Sequence, residues 1–401
     1  MQIDRSGGPH LTYCTNIHPA DGWPAVDANL RRYAPALKQR FAPERPFGIG
    51  LRLSARDARE LQEGSNLDTF RRFLDDEGLY VAIINGFPYG SFHGTPVKEQ
   101  VYAPDWRDEA RVAYTLDLIA ILVRLLPDAL DGGISTSPIS YKAWLPSDDR
   151  DGWTRAATNI GRIAAALART RRETGRFIHL DIEPEPDCVL ETSAETIEFF
   201  ERWLRPIATR TIAGATGLAA SDAEQALFDH VQVCFDCCHF AVEHEDPVDA
   251  ATRLEAAGIR IGRIQLSSAL RVDVPDGSGA AALDARLRPF ADPVYLHQVV
   301  SKRADGLRHY PDLGPALDAR EAGPAEWRIH FHVPLFTSDY DGLGSTQDDV
   351  RRLIDAAVAR PITTHLEIET YTWSVLPGSL KIDLLDSIAR EYEWVLGVAR
   401  R

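Results

Sequence analysis

The sequence predicts an α/β protein, a single (β/α)8 barrel, on three observations. Eight short β-like runs alternate with longer segments of helical period, polar and ionisable residues collect where those runs end, and no glycine-rich phosphate turn follows the first run. Alternation of this kind is the sequence form of a parallel sheet. An open, doubly wound sheet would be expected to carry the missing turn, so a closed barrel is favoured.

The expected strands are Leu11–Ile17, Phe47–Leu53, Leu79–Ile84, Gly132–Ser137, Phe177–Glu183, Val231–Asp236, Ile259–Leu266 and Thr364–Glu369. Apolar residues recur with helical spacing over Ala113–Leu126, Thr158–Ala168, Thr196–Leu204 and Val350–Val358, which predicts helices between strands. One connection is too long for a βα loop. Residues 268–325, rich in Gly, Pro, Ala and Asp, read as an insertion after strand seven, with helical pieces at Leu296–Lys302 and Leu313–Ala319. Its place after a strand end makes it either a lid over the barrel mouth or a surface excursion. Ile329–Pro334 is read as an extended loop before the last helix, because a ninth strand would spoil the barrel. The whole chain, 1–401, is taken as one domain.

Composition narrows the function classes. Hydrophobic residues are 44% and charged residues 26% of the chain, as in a globular protein with a sizeable core. No run of apolar residues is long enough to span a membrane. The start lacks a basic region followed by an apolar one, which makes a cytoplasmic location the default. A net charge of −15 repels phosphate backbones and argues against a nucleic-acid partner. Five cysteines, three of them at Cys234, Cys237 and Cys238, form neither an even disulfide framework nor a paired zinc ribbon, and read as buried thiols.

Active sites of such barrels are built at the C-terminal ends of the strands. Strand five ends His179-Leu180-Asp181-Ile182-Glu183, and alternation sets His179, Asp181 and Glu183 on one face. Burying three ionisable groups in a row is costly unless they pair or hold a cation, and an outward polar row is the alternative. Strand six ends at Asp236 with His239 three residues on, so Asp236 is either a site carboxylate or the cap of the next helix. Gln265 on strand seven could orient a substrate hydroxyl, give an oxygen to a metal or complete a network. On strand eight His365, Glu367 and Glu369 alternate. Carboxylates from strands five, six and eight would repel one another without a counterion, and a hard divalent cation with oxygen ligands resolves this. Mn2+ or Mg2+ suits such a site, and an imidazole keeps Zn2+ open. Asn85 and His93, in a Gly- and Pro-rich cluster after strand three, suit polyol binding or plain turn chemistry.

These residues resemble a known family. E-P-E-P after strand five, D-x-C-H after strand six and L-E-x-E before an aromatic run look like the xylose-isomerase-like barrels of the sugar phosphate isomerase/epimerase superfamily. Longer strings, NGFPYGSFHG, VYAPDW, HLDIEPEPDCVLET, CFDCCHF, IQLSSAL, FHVPLF and HLEIETYTWSVLP, resemble the EboE metabolite traffic proteins. The superfamily resemblance implies one divalent metal held by strands five to eight, which falls by position on Glu183, Asp236, Gln265 and Glu367. It also implies Glu183 and Glu367 as acid and base, and His239 as a substrate contact. The family usually has His where this chain has Gln265, a weaker ligand. Glu369 faces the same way as Glu367, and His332 is the next candidate for the fourth ligand; both are also candidate substrate contacts.

Two functions follow as expectations. One is a metal-dependent isomerase or epimerase acting on a small polyhydroxylated or cyclitol-like metabolite. The other is a non-catalytic carrier that holds such a metabolite for partner proteins of one pathway. A DNA-repair endonuclease is disfavoured by the charge and by few histidines at the strand ends.

Overall fold

The computed structural model describes residues 1–3, 8–90, 98–275, 280–291, 295–319, 323–340, 342–374 and 383–400, with side chains apart from those of residues 280 and 281. The first seven strands are β1 His10–Tyr13, β2 Phe47–Arg52, β3 Leu79–Asn85, β4 Gly132–Thr136, β5 Ile178–Ile182, β6 Val231–Asp236 and β7 Ile261–Leu266. The insertion, expected over 268–325, runs on to Ser345 and supplies β8 Ser268–Val274, β9 Val299–Arg303, β10 Gly306–Tyr310, β11 Ala325–Val333 and β12 Gly344–Ser345, and β13 His365–Ile368 completes the barrel. The barrel order is β1-β13-β7-β6-β5-β4-β3-β2, with parallel pairing throughout. A parallel bridge between Cys14 and Gly50 closes β1 onto β2. Every one of the eight expected barrel strands is present.

Both faces of these strands are buried, one against helices and one inside the barrel. The expected helices sit on the outside, at Glu109–Leu125, Arg150–Thr174, Ser193–Phe199 and Gln347–Ala359. Their starts are set locally. Asp108 accepts from the Ala110 N–H, and Thr192 and Glu195 form a reciprocal capping box.

The barrel interior carries ions as well as apolar side chains. Arg263 on β7 is fully buried and donates to Asp181 of β5 at 3.1 Å and to Glu367 of β13 at 3.3 Å. Two glycines make room for this row. A Cβ on Gly262 would collide with the Asp181 carboxylate, and one on Gly50 with that of Glu367.

The insertion departs from expectation in two places. Leu296–Lys302 is not helical, since Val299–Arg303 is strand β9, whose β-branched start favours extended backbone. Ile329–Pro334 is not a loop, since it belongs to β11 up to Val333. That strand leaves the barrel intact because it joins a separate antiparallel sheet, β10-β9-β11-β8-β12. Leu313–Asp318 is helical as expected.

Candidate metal centre

The pocket at the C-terminal mouth is lined by side chains from both parts of the fold. Barrel strands and loops contribute Asn16, Asn85, Glu183, Glu185, His239 and Glu369, and the insertion contributes Tyr295, Leu296, His330 and His332. Residues of the two parts thus meet in one pocket. Its cavity is about 50 Å³. Lys98, after β3, joins the two sides by donating to Asp312 at 2.6 Å and to the Tyr295 carbonyl at 2.7 Å.

Asp236 ends β6 and has both roles left open by the sequence. Its Oδ1 caps the helix Cys237–Val242, accepting from the His239 N–H at 2.9 Å and from the Ser267 hydroxyl at 2.8 Å. Its Oδ2 is buried without a hydrogen bond. Burial opposes its charge, but the imidazoles of His239 and His332 and those two donors hold its pKa below the usual range.

Glu183, just past β5, is 3% exposed and its Oε2 has no hydrogen bond. Burial and the Asp236 charge push its carboxyl well above the usual pKa. Glu369, just past β13, is raised well above it too, by burial first and then by Glu183 and Asp236. Two amides clamp its Oε1, Asn16 at 2.9 Å and Asn85 at 3.3 Å.

His332 enters from β11. Its Nδ1 donates to the Glu369 carbonyl oxygen at 2.9 Å, which leaves the Nε2 lone pair inside the pocket with no hydrogen bond. Burial lowers its pKa to about 4 and keeps the ring neutral. One ligand atom each from Asp236, His239 and His332 lies within 4.8 Å of the others. The His239 ring also lies 3.9 Å from Glu183 and 3.8 Å from Asp236, and its Nδ1 donates to the Pro184 carbonyl at 2.9 Å.

Six expected residues, Glu183, Asp236, His239, Asn85, Glu369 and His332, come together here. Two do not reach the pocket. Glu367 is fully buried beneath it, engaged by Arg263. Gln265 lies beside Glu367 in the strand register, and its Oε1 accepts from the Cys234 thiol at 3.1 Å. The strands' tilt explains both departures. Asp236, Gln265 and Glu367 form one hydrogen-bonded row across β6, β7 and β13, and in a tilted barrel such a row descends from the mouth as it crosses strands. His93 lies outside the described residues. Asn16, Tyr102 and His330 were not singled out in the sequence. Asn16 could have been found by the strand-end rule, whereas His330 and His332 arrive through a sheet that period alone does not reveal.

What the residues can hold follows from their atoms. Unpartnered, buried oxygens on Glu183 and Asp236 and an unpartnered nitrogen on His332 suit a divalent cation. The buried cation beneath, Arg263, is already shared between Asp181 and Glu367.

The family described as xylose isomerase-like TIM barrel matches residues 48–295, more than half of the chain, and the protein belongs to it. Among solved structures, a xylose isomerase-like TIM barrel protein from Mycobacterium smegmatis in complex with magnesium is 14% identical. It covers 100% of this chain and 98% of its own, with a TM-score of 0.51. A xylose isomerase domain protein from Planctomyces limnophilus is 13% identical, covers 98% of each chain and has a TM-score of 0.48. The IolI protein with a bound zinc atom is 11% identical, covers 97% and 98%, and has a TM-score of 0.47. No curated protein matches the sequence. Among the described residues, no helix is long and apolar enough to cross a membrane.

Proposed function

We propose that the protein is a divalent-metal-dependent isomerase or epimerase of a small polyhydroxylated or cyclitol-like metabolite. The observation that carries this reading is the set of buried, unpartnered metal-ligating atoms at the mouth, on Glu183, Asp236 and His332, beside Glu369. The proposed ligands are Glu183, Asp236, His332 and Glu369. Glu369 replaces Glu367 because it reaches the pocket, and His332 replaces Gln265 because its Nε2 is free there. Mn2+ or Mg2+ suits the three carboxylates, and the imidazole leaves Zn2+ open.

When bound, the cation supplies a Lewis acid for a carbonyl and neighbouring hydroxyl. Glu183 and Glu369 exchange a proton with the carbon beside that carbonyl, one removing it and the other returning it on the opposite face. Asn16 and Asn85 hold Glu369 in place, and His239 and His330 bind substrate hydroxyls. A cavity of about 50 Å³ is smaller than the few hundred cubic ångströms of an ordinary ligand site, so the rim opens for substrate to enter. The strings that resemble EboE proteins favour a part for this chemistry in the processing or trafficking of a metabolite precursor.

The test is deuterium exchange. Protein loaded with Mn2+ is incubated in D2O with a panel of ketoses, inososes and their phosphates, and deuterium beside the carbonyl is read by NMR. Exchange that is lost in Glu183→Gln and Glu369→Gln supports the reading. Tight binding of one compound without exchange transfers the pocket to the carrier function.

A further inference from the structure

At the opposite, N-terminal end of the barrel, the first residues of two strands converge on a loop. His179 follows the first residue of β5, His365 begins β13, and Asp131 immediately precedes β4. The Nε2 atoms of His179 and His365 lie 3.6 and 3.2 Å from the Asp131 carboxylate. One ligand atom from each of the three lies within 4.8 Å of the others. The two imidazoles are 1% and 0% exposed. Neither Nε2 makes a hydrogen bond of acceptable geometry.

We infer that Asp131, His179 and His365 form a second metal site, on the floor of the barrel, for a borderline-soft divalent cation of the zinc type. This inference stands independently of the mouth site and shares no residue with it.

The supporting shell is in place around His179 and Asp131, while the Nδ1 of His365 has no hydrogen bond. A metal-binding imidazole usually commits its other nitrogen to a carboxylate, which fixes the ring and raises its basicity. The Nδ1 of His179 does so, meeting Asp181 Oδ1 at 2.5 Å, while Arg263 holds the other Asp181 oxygen at 3.1 Å. Thr364 donates its hydroxyl to Asp131, at 2.9 and 2.8 Å from the two oxygens. Ligand spacing fits as well. Two donors about 2.0–2.1 Å from a tetrahedral Zn2+ stand about 3.3 Å apart, close to the 3.2 and 3.6 Å separations seen here. Two imidazoles and one carboxylate select zinc-like ions over Mg2+ or Ca2+. On the remaining side, Asp131 and His10 border a groove of about 1020 Å³, so a fourth position is within reach of water. The site would tie β5 and β13 to the loop before β4.

The experiment separates the two sites. Asp236→Asn protein, whose mouth site is weakened, is stripped with chelator, titrated with Zn2+, crystallised and measured at the zinc absorption edge. One bound equivalent with anomalous density among Asp131, His179 and His365 is expected. Absence of binding, or density elsewhere only, overturns the inference. The Asp131→Asn, Asp236→Asn double variant should lose that zinc. Retention of it would also overturn the inference, as would an Asp131→Asn change that lowers stability equally with and without zinc, the mark of a plain ion pair. If the double variant does not fold, the titration and density of the single variant decide alone. Asp131→Asn by itself should leave the Mn2+ response of the mouth unchanged.

Discussion

The two ends of this barrel hold the same kinds of side chain in opposite proportions. At the mouth, Glu183, Asp236 and Glu369 face the imidazole of His332, and orphaned oxygens outnumber orphaned nitrogens. At the floor, one carboxylate, Asp131, faces the imidazoles of His179 and His365. Between them runs the row Asp181–Arg263–Glu367, fully buried and joined by Arg263, with Asp181 also bound to His179 of the floor. Donor type, not the presence of ionisable groups, is what separates the ends: oxygens favour hard cations, and imidazoles favour zinc-like ones. The shared middle row keeps either end from being a simple continuation of the other.

The largest effect should come from removing that divider. Arg263→Met leaves two buried carboxylates without their cation and should cost about 3–5 kcal/mol, read as a fall in the denaturant midpoint. A neutral result would show that the ends do not depend on the row between them. Next, Asp236→Asn should weaken Mn2+ binding at the mouth by at least about 100-fold by calorimetry, beyond what outer-shell changes produce, with the far-UV spectrum unchanged. Equal loss of zinc at the floor would collapse the two sites into one system.

Asn16→Ala removes one of the two amides on Glu369 Oε1 and should weaken Mn2+ binding by about 10-fold while leaving zinc binding alone. A smaller change would transfer the clamp to Asn85. The smallest effect belongs to the rim. Lys98→Ala breaks a partly exposed contact with Asp312 and should cost less than about 1 kcal/mol, yet it should speed amide exchange around residues 295–299. Unchanged exchange there would mean that this contact does not hold the insertion over the mouth.

Much of this was legible in the sequence because strand ends obey period two. Alternation identified the inward residues of β5 and β13, and the acidic ends of strands five and six marked the mouth through Glu183 and Asp236. Depth was not legible. His365, Glu367 and Glu369 all face inward and rise from floor to mouth in chain order, but the stagger between tilted strands decides which of the two glutamates stands level with Glu183 and Asp236. The insertion failed for a different reason. Strands β9 and β11 are stabilised by pairing with segments distant in sequence, and the two valines that open β9 are too short a signal to announce a strand on their own.

The arrival of His332 on β11 has a thermodynamic consequence. The other proposed ligands, Glu183, Asp236 and Glu369, belong to the barrel, so a cation held by both parts would bind the docked arrangement better than the undocked one. Linkage then makes cation concentration a control on docking: at 100 times the dissociation constant, binding adds about 2.7 kcal/mol to the closed form. Metal supply would set how much of the time this barrel keeps its cover on.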